Sequence, residues 1–562
     1  MLDTLPPEIL SQIAHHLILS ACRPPVDLLC TCRSLYAAAA PGLNPNLYAS
    51  VFRAHYDTAA AQRRFTSLGP SDSPYPNRPR DPSSSARQLT PEPLRPADFV
   101  AELRTRTLAL ERLARVAAEG GDLRVEELWV VYLMLIENDG KNLRHLVPPL
   151  TQPGVDVVSL VRDYHDRVLQ SPPDFAYPPQ RPVDALAMWI SWLLDDYNSS
   201  TPRQIRALRP YVFAAQQYDL FYAPWTQPRV PVPQRNNQHR VPPPLGPYSS
   251  VHTPQDRACT VPAYGRTLSI APPILAHAAQ LRFFTAPGAD TPASIPGLGP
   301  EVMDMELQSM RALPRPALSS ARHDADFERL LVCTNGARSP GRALWAWRGV
   351  FTGSWEGTFT FLEFDAFQDM MAGHAAAIYS GPYGEQAQVW KLRETFVRPK
   401  PGTPADGPGL PLRGPMVNAG FPADMRPFNP NAIAARAPGR SPEDATIDDA
   451  LGRQLAALPG YESIPAHEVE AALARAEPGD NLGLLVTGVG HSAWGRFVIS
   501  GHVRVWDGLL YMVKEYAPFQ RGKWLYRGYV LGDGAMVGRW RDTLTPEDYV
   551  GYEGTFMLKK RS

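Results

Sequence analysis

Gly490-His491-Ser492-Ala493-Trp494 is the stretch of this 562-residue chain that comes nearest to a catalytic nucleophile. A nucleophile elbow needs Gly-x-Ser-x-Gly, because the serine rides a sharp, strained turn between a strand and a helix. Here Trp494 occupies the second glycine's position and the chain runs on as a strand, so the elbow fails on residue type and on context. His491 and His502 lack a third ligand at metal spacing. Asp163-Tyr164-His165-Asp166 groups donors on one helix, where a solvated polar face is the expected reading. Cys30 and Cys32 are two apart on a helix and face different ways. The Asp195–Asp196 pair falls at a helix end, where carboxylates belong on the surface. There is no phosphate loop and no dinucleotide fingerprint. The chain therefore reads as non-catalytic, with no metal and no cofactor.

The other residues able to do chemistry are Arg504, Arg527, Arg539 and Arg541, which recur near strand ends with Trp506 and Trp540 among them. Guanidinium donors beside aromatic surface suit a peptide that carries a carboxylate, phosphate or amide. Arg504, Trp506, Arg527, Arg539, Trp540 and Arg541 are accordingly the candidate substrate-binding set. The competing reading is structural: Arg539, Arg541 and Asp542 as a salt-bridge cluster, with Trp540 in the core.

Such residues need strands to hold them, and after Cys333 the pattern supplies them. "LWAWRGVFTGSWEGTFTFLEF" alternates aromatic and polar residues around glycine turns, and "AQVWKLRETFV", "NLGLLVTGVG" and "GKWLYRGYVLGDGAMVGRWRDT" behave likewise. Asp507-Gly508 and Asp533-Gly534 stand between apolar runs, a strong hairpin signal. Roughly seven to nine strands suit an antiparallel barrel better than an open sheet with bare edges. A Pro/Ala-rich insert at about 400–480 interrupts them, with one helix near "AHEVEAALA".

Upstream the signals are helical. "ADFVAELRTRTLALERLARV", "VEELWVVYLMLIEND", "VDVVSLVRDYHDRVLQ" and "PVDALAMWISWLLDDYNSS" have helical length and turn-rich flanks. Two more helices are expected near "PEVMDMELQSMRAL" and "DADFERLLVC". The Trp189/Trp192 pair reads as helix core rather than a ligand box. Sixty prolines, about double the usual ~5% share, mark residues 66–96 and 226–260 as coil. The expected organisation is α+β: a helical module at 1–60, a Pro/Ser-rich linker at 61–96, a mainly helical linker domain at 97–335 and the barrel at 340–562.

Composition removes several classes of function. Lys plus Arg equals Asp plus Glu at 56 each, so no basic surplus points to nucleic acid. The five cysteines form no disulfide framework, which fits the cytosol or nucleus. No apolar run approaches the ~20 residues that cross a bilayer, and no signal peptide is expected.

The amino end carries the most specific pattern. In "LPPEILSQIAHHL", Pro7 starts a helix at no hydrogen-bond cost, Glu8 complements its dipole, and Leu5, Ile9, Leu10, Ile13 and Leu17 fall on one stripe at about 100° per residue. "VDLLCTCRSLYAAAAP" gives a second helix from Asp27 to Pro41, with Leu28, Leu29, Cys32 and Leu35 on one face, and "NPNLYASVFRAHY" a third from Pro45. Three short helices bury little surface alone, so part of this face should belong to a partner.

Leu-Pro-x-Glu-Ile-Leu, a spacer, then Asp-Leu-Leu and Cys-Arg before an aromatic resembles the F-box, over about the first fifty residues. Tyr36 stands where many members have Trp or Phe. The resemblance implies docking on the Skp-type adaptor of a cullin-based ubiquitin ligase through Leu5, Pro6, Ile9, Leu10, Ile13, Leu28, Leu29 and Cys32. The strand region, through "WRGVFTGSW", "WLYRGYV", "VGRWRDT" and "GYEGTF", looks like the lipocalin-like β-barrel that presents the substrate surface in a subset of F-box proteins. The two together imply a non-catalytic substrate receptor that binds a protein degron. The alternatives are a lipocalin-like barrel for a small apolar ligand and a hydrolase using Ser492. An interior free of large side chains would favour the small ligand, and a plugged one the receptor.

Overall fold

The structure is a computed structural model. It describes residues 5–21, 24–66, 94–147, 155–168, 181–194, 202–213, 259–286, 319–333, 342–371, 383–401, 441–458, 460–476, 482–505, 507–517, 522–532, 534–544 and 552–561.

Helices dominate the first half: α1 (Pro7–Ala21), α2 (Val26–Leu29), α3 (Arg33–Ala39), α4 (Pro45–His55), α5 (Ala59–Thr66), α6 (Pro96–Glu119), α7 (Val125–Ile136), α8 (Leu143–Leu146), α9 (Val157–Val168), α10 (Pro182–Leu193) and α11 (Pro202–Phe213). Prolines open α1, α4, α6, α10 and α11, where their missing N–H costs no bond. The second helix read from the sequence is two. Cys32 is extended (φ −158°, ψ 167°) and caps α3, while Thr31 Oγ1 donates back to Asp27 O at 2.9 Å. Residues 61–66, assigned to the linker, are the body of α5, and Phe65 is buried. Residues 67–93 of that linker, the helix expected at "PEVMDMELQSMRAL" and most of the coil at 226–260 lie outside the described residues.

A hairpin the sequence reading missed follows, β1 (Cys259–Ala263) and β2 (Arg266–Ile270), turning at Tyr264 (φ 49°) and Gly265 (φ 70°). Next comes α12 (Leu275–Thr285), buried from Leu275 through Phe284 on every side. It runs inside the protein, with His277, Gln280 and Arg282 buried among its apolar residues. One of its sides meets α10 and α11, and the other the barrel's outer wall. The middle region thus packs directly on the barrel. One core runs from Ala14 and Ile18 through α7, α10 and α12 to Tyr529, Val537 and Met557 on the barrel.

After α13 (Asp324–Val332) come β3 (Gly353–Phe361), α14 (Phe364–Met371), β4 (Gly384–Pro399), α15 (Pro442–Ala456), β5 (Tyr461–Ser463) and α16 (Val469–Arg475). Six strands complete the sheet: β6 (Gly483–Ser492), β7 (Gly495–Arg504), β8 (Leu509–Ala517), β9 (Lys523–Val530), β10 (Ala535–Asp542) and β11 (Glu553–Lys560). The order β3-β11-β10-β9-β8-β7-β6-β4 returns to β3, a closed eight-stranded antiparallel barrel, with β5 paired to the overhang of β4. Closure removes the exposed edges that an open sheet would leave. Neighbouring walls approach closely at inward-facing glycines: a Cβ on Gly501 would lie 2.2 Å from Tyr511 O, and one on Gly538 2.0 Å from Arg527 O. The expected helix within the insert is α16, and α15 covers the outer face of β6 and β7, where Gln454 Nε2 donates to Gly501 O at 2.9 Å.

Candidate functional site

Two places hold chemistry-bearing residues. The first is the amino-terminal module. Asn44 closes it locally: its Oδ1 accepts from Leu47 N at 3.3 Å and its Nδ2 donates to Ala38 O at 2.8 Å. Tyr48 OH donates to Ala39 O at 2.6 Å. The stripe on α1 divides in two. Leu10, Ala14 and Ile18 turn inward and are buried, whereas Ile9 is 41% exposed, Leu17 is exposed and Ile13 is half-buried between them. Leu10, counted among the adaptor contacts, belongs to the inner stripe, since at 3.6 residues per turn it stands 100° from Ile9. Pro6 is exposed, and Leu5, Leu28, Leu29 and Cys32 are half-buried. Five of the nine exposed large hydrophobics among the described residues, Ile9, Leu17, Val26, Tyr36 and Leu43, fall in this module. Its fourth helix, α4, turns the other way and joins the main core, with the Phe52 and Phe99 rings 5.5 Å apart.

The second place is the barrel. Its two ends differ. One is stoppered by the 3₁₀ turn Leu344–Trp347, by Trp355, whose Nε1 donates to Phe351 O at 2.8 Å, and by α16. Lys560 Nζ crosses this end and donates to Gly349 O at 2.6 Å. The other end, the mouth, is ringed by Phe361, Trp494, Trp524 and Tyr552, all half-buried. Between them the interior is filled by Trp390, Met512, Tyr526, Met536 and Phe556, each no more than 2% exposed.

The six candidate substrate residues do not converge there. In "VGRWRD" neighbours in sequence point to opposite faces, as strand geometry requires. Trp540 faces inward and donates Nε1 to Thr360 O at 3.0 Å. Arg539 and Arg541 face outward, and Arg527 sits beside Arg539 in register. All three are buried, Arg539 bonding Glu553 at 3.0 Å and Val212 O at 3.4 Å against α11. They form part of the wall that meets the helices. Arg504 lies at the stoppered end and grips the fully buried Asp507 at 2.8 and 2.5 Å; Asp507 also accepts from Tyr529 OH at 2.8 Å. Trp506 lies outside the described residues. The Arg539–Asp542 pairing of the structural reading does not form; Asp542 instead accepts from the Leu544 and Tyr552 amides. Arg504→Met is expected to cost about 2 kcal/mol, because a charge-assisted bond is lost and Asp507 stays buried. Denaturant unfolding measures this, whereas a substrate contact would leave stability unchanged.

The interior residue that sequence reading passed over is Lys514. It is 1% exposed, and its Nζ donates to Gln388 Oε1 at 3.0 Å. Four ring centroids surround Nζ: Phe497 at 4.1 Å, Tyr516 at 4.7 Å, Phe359 at 5.0 Å and Tyr526 at 5.6 Å. Burial pushes its ammonium well below the ordinary lysine range. The signal was available: period-two reading of "LLYMVKEY" sets Lys514 on the same face as Leu510, Met512 and Tyr516.

Ser492 bonds Tyr516 OH at 3.0 Å. His165 is buried rather than solvated, and burial, aided by Arg282, pushes its pKa down to about 3. Trp189 and Trp192 are core. Among the described residues no group of three or more His, Cys, Asp or Glu is placed to hold a metal, and no helix is long and apolar enough to cross a membrane. Comparison with known proteins found no matching family, no matching curated protein and no matching solved structure.

Proposed function

We propose that this chain is the substrate-recognition subunit of a cullin-type ubiquitin ligase. The amino-terminal helices dock on a Skp-type adaptor and the barrel domain holds a protein degron. The chain works in the cytosol or nucleus and performs no bond chemistry. Its contribution is proximity: a tethered target meets the charged enzyme at an effective concentration of about millimolar.

The observation that supports this most is the concentration of exposed apolar side chains on the module with the Leu-Pro-x-Glu-Ile-Leu pattern. Ile9 and Leu17 point outward while the opposite stripe of the same helix is already packed. Isolated exposed hydrophobics are ordinary, but a cluster of them marks an interaction surface. The plugged interior favours the receptor over a barrel that holds a small apolar ligand deep in its lumen, since Trp390, Tyr526 and Phe556 occupy that space.

Capture of purified Skp-type adaptor by the full chain, compared with a Leu5→Ala/Ile9→Ala variant, tests the reading. The variant should bind at least about tenfold more weakly, a loss of about 1.4 kcal/mol, with an unchanged unfolding temperature. Undiminished capture would refute the docking.

A further inference from the structure

Lys514 is a cation-forming group without a counter-charge. No carboxylate lies within ion-pair distance of its Nζ among the described residues, and its one hydrogen bond goes to a neutral amide. Around it other buried polar groups also lack partners. Register places Gln386 opposite Phe359 and Trp390 opposite Trp355, all facing the interior. Both ends of the Gln386 amide and the Trp390 indole N–H are unpartnered, at 1% and 0% exposure. Buried polar groups are normally satisfied, so two such side chains on the interior surface that also carries Lys514 mark a place that expects a polar partner. A buried charge without a partner is costlier still, and an anion brought in from outside removes that cost.

The way in is the mouth. Trp494 sits in the tight turn between β6 and β7, where its indole lies 5.4 Å from the Phe359 ring, 5.6 Å from Phe361 and 6.3 Å from Tyr516. Phe359 and Tyr516 are two of the four rings around Lys514, so the indole roofs the cage. It is half-buried, on a turn exposed at the rim.

We propose that the barrel mouth binds a small apolar carboxylic acid as its carboxylate, with Lys514 as counter-charge and the Trp494 indole as the group displaced. The carboxylate accepts from Lys514 Nζ, and the unpartnered donors of Gln386 and Trp390 lie on the same inner surface. The apolar body stacks where the indole lay. If Nζ is uncharged beforehand, one proton is taken up with the anion and the ammonium is restored, so charge balances. This site is independent of adaptor docking, and its failure leaves that reading standing.

The probe is phenylacetate, titrated into the full chain and followed by calorimetry and tryptophan fluorescence, with phenylacetamide as its neutral counterpart. The wild-type chain should bind phenylacetate saturably and phenylacetamide at least about tenfold more weakly, the difference that a charged partner makes. Trp494→Ala, which removes the displaced ring, should bind phenylacetate about tenfold more tightly than wild type. Lys514→Met should lose binding, and its far-UV spectrum and unfolding temperature report whether it is folded. Gln386→Leu, which removes the unpartnered amide at nearly constant volume, keeps Lys514 and should weaken binding severalfold. The proposal is overturned by absent saturable binding to the wild-type chain, by equal affinity for the amide, or by unaltered binding in folded Lys514→Met. A peptide ending in phenylalanine with a free carboxylate separates the sources: binding of the peptide but not of phenylacetate overturns the free acid as ligand.

Discussion

Arg106→Met is expected to lower the unfolding free energy of the helical part by about 3–5 kcal/mol, the usual cost of removing one partner from a buried ion pair. The arginine has no exposed surface and ties four segments together. Its Nε donates to Glu102 at 2.8 Å on its own helix, and Nη2 to Glu137 at 2.5 Å at the end of α7. Nη1 donates to Asn142 at 3.2 Å, and Nη2 also reaches Tyr264 OH, at 2.9 Å, in the β1–β2 turn. Asn142 Oδ1 also accepts from Asp57 N at 3.0 Å, which extends the network to the segment between α4 and α5. Burial opposes the charge on Arg106, but Tyr264, Glu102 and Glu137 outweigh it and hold its pKa well above the ordinary value. Methionine keeps much of the stem but strands two carboxylates at 3% and 1% exposure. Burial already pushes Glu137 up, against the pull of Arg106. Denaturant unfolding followed by far-UV circular dichroism measures the loss. Adding Glu102→Gln and Glu137→Gln to the variant should recover part of it, and a loss below about 1 kcal/mol would show that water reaches the site.

The second large effect is acid lability. Burial and the nearby Arg504 push His502 down to about 4, and burial with Arg282 pushes His165 down to about 3. His277, with no exposed surface, is shifted the same way, by burial and then by Arg329. The unfolded chain takes up these protons near pH 6.5, whereas the folded chain refuses them until the lower values. The unfolded state therefore binds more protons in this window, and stability falls as pH drops. It is complete above about pH 6.5 and declines by up to about 1.4 kcal/mol per unit for each histidine. His165 and His502 together contribute roughly 5 kcal/mol between pH 6.5 and 4.5. Unfolding free energies at several pH values measure the slope. A His165→Leu/His502→Phe variant should flatten it, and an unaltered slope would exclude both residues as the cause.

The barrel was legible because its strands write their geometry into alternation. Trp355, Gly357 and Phe359 face inward at period two, and Asp507-Gly508 turns the chain where the sequence said it would. The amino-terminal helices were legible for the same reason at period 3.6. The β1–β2 hairpin was not, because Pro262 inside "CTVPA" argues against a strand, and only register with Thr267 reveals it. Nor was the break at Cys32, where no glycine or proline announces an extended residue. The arginine set misled because adjacency in sequence was taken for adjacency in space. Arg539 and Arg541 straddle Trp540 and look the opposite way. Whether a side chain on a closed sheet faces the lumen or a neighbouring helix depends on what packs outside. That was set here by α11 and α12, distant in sequence.

The pairing of β3 with β11 fixes the order in which this molecule can be completed during synthesis. Thr360 and Thr555, joined across that seam, stand 195 positions apart. Seven of the eight barrel strands leave the ribosome before their ring can shut, and the wall that α11 and α12 lean on includes β10 and β11. Until residues 553–560 emerge, the nascent chain carries two unpaired strand edges and an uncovered α12, both surfaces that chaperones hold. A truncation that removes β11 would thus cost the helical half its support as well as the barrel its closure.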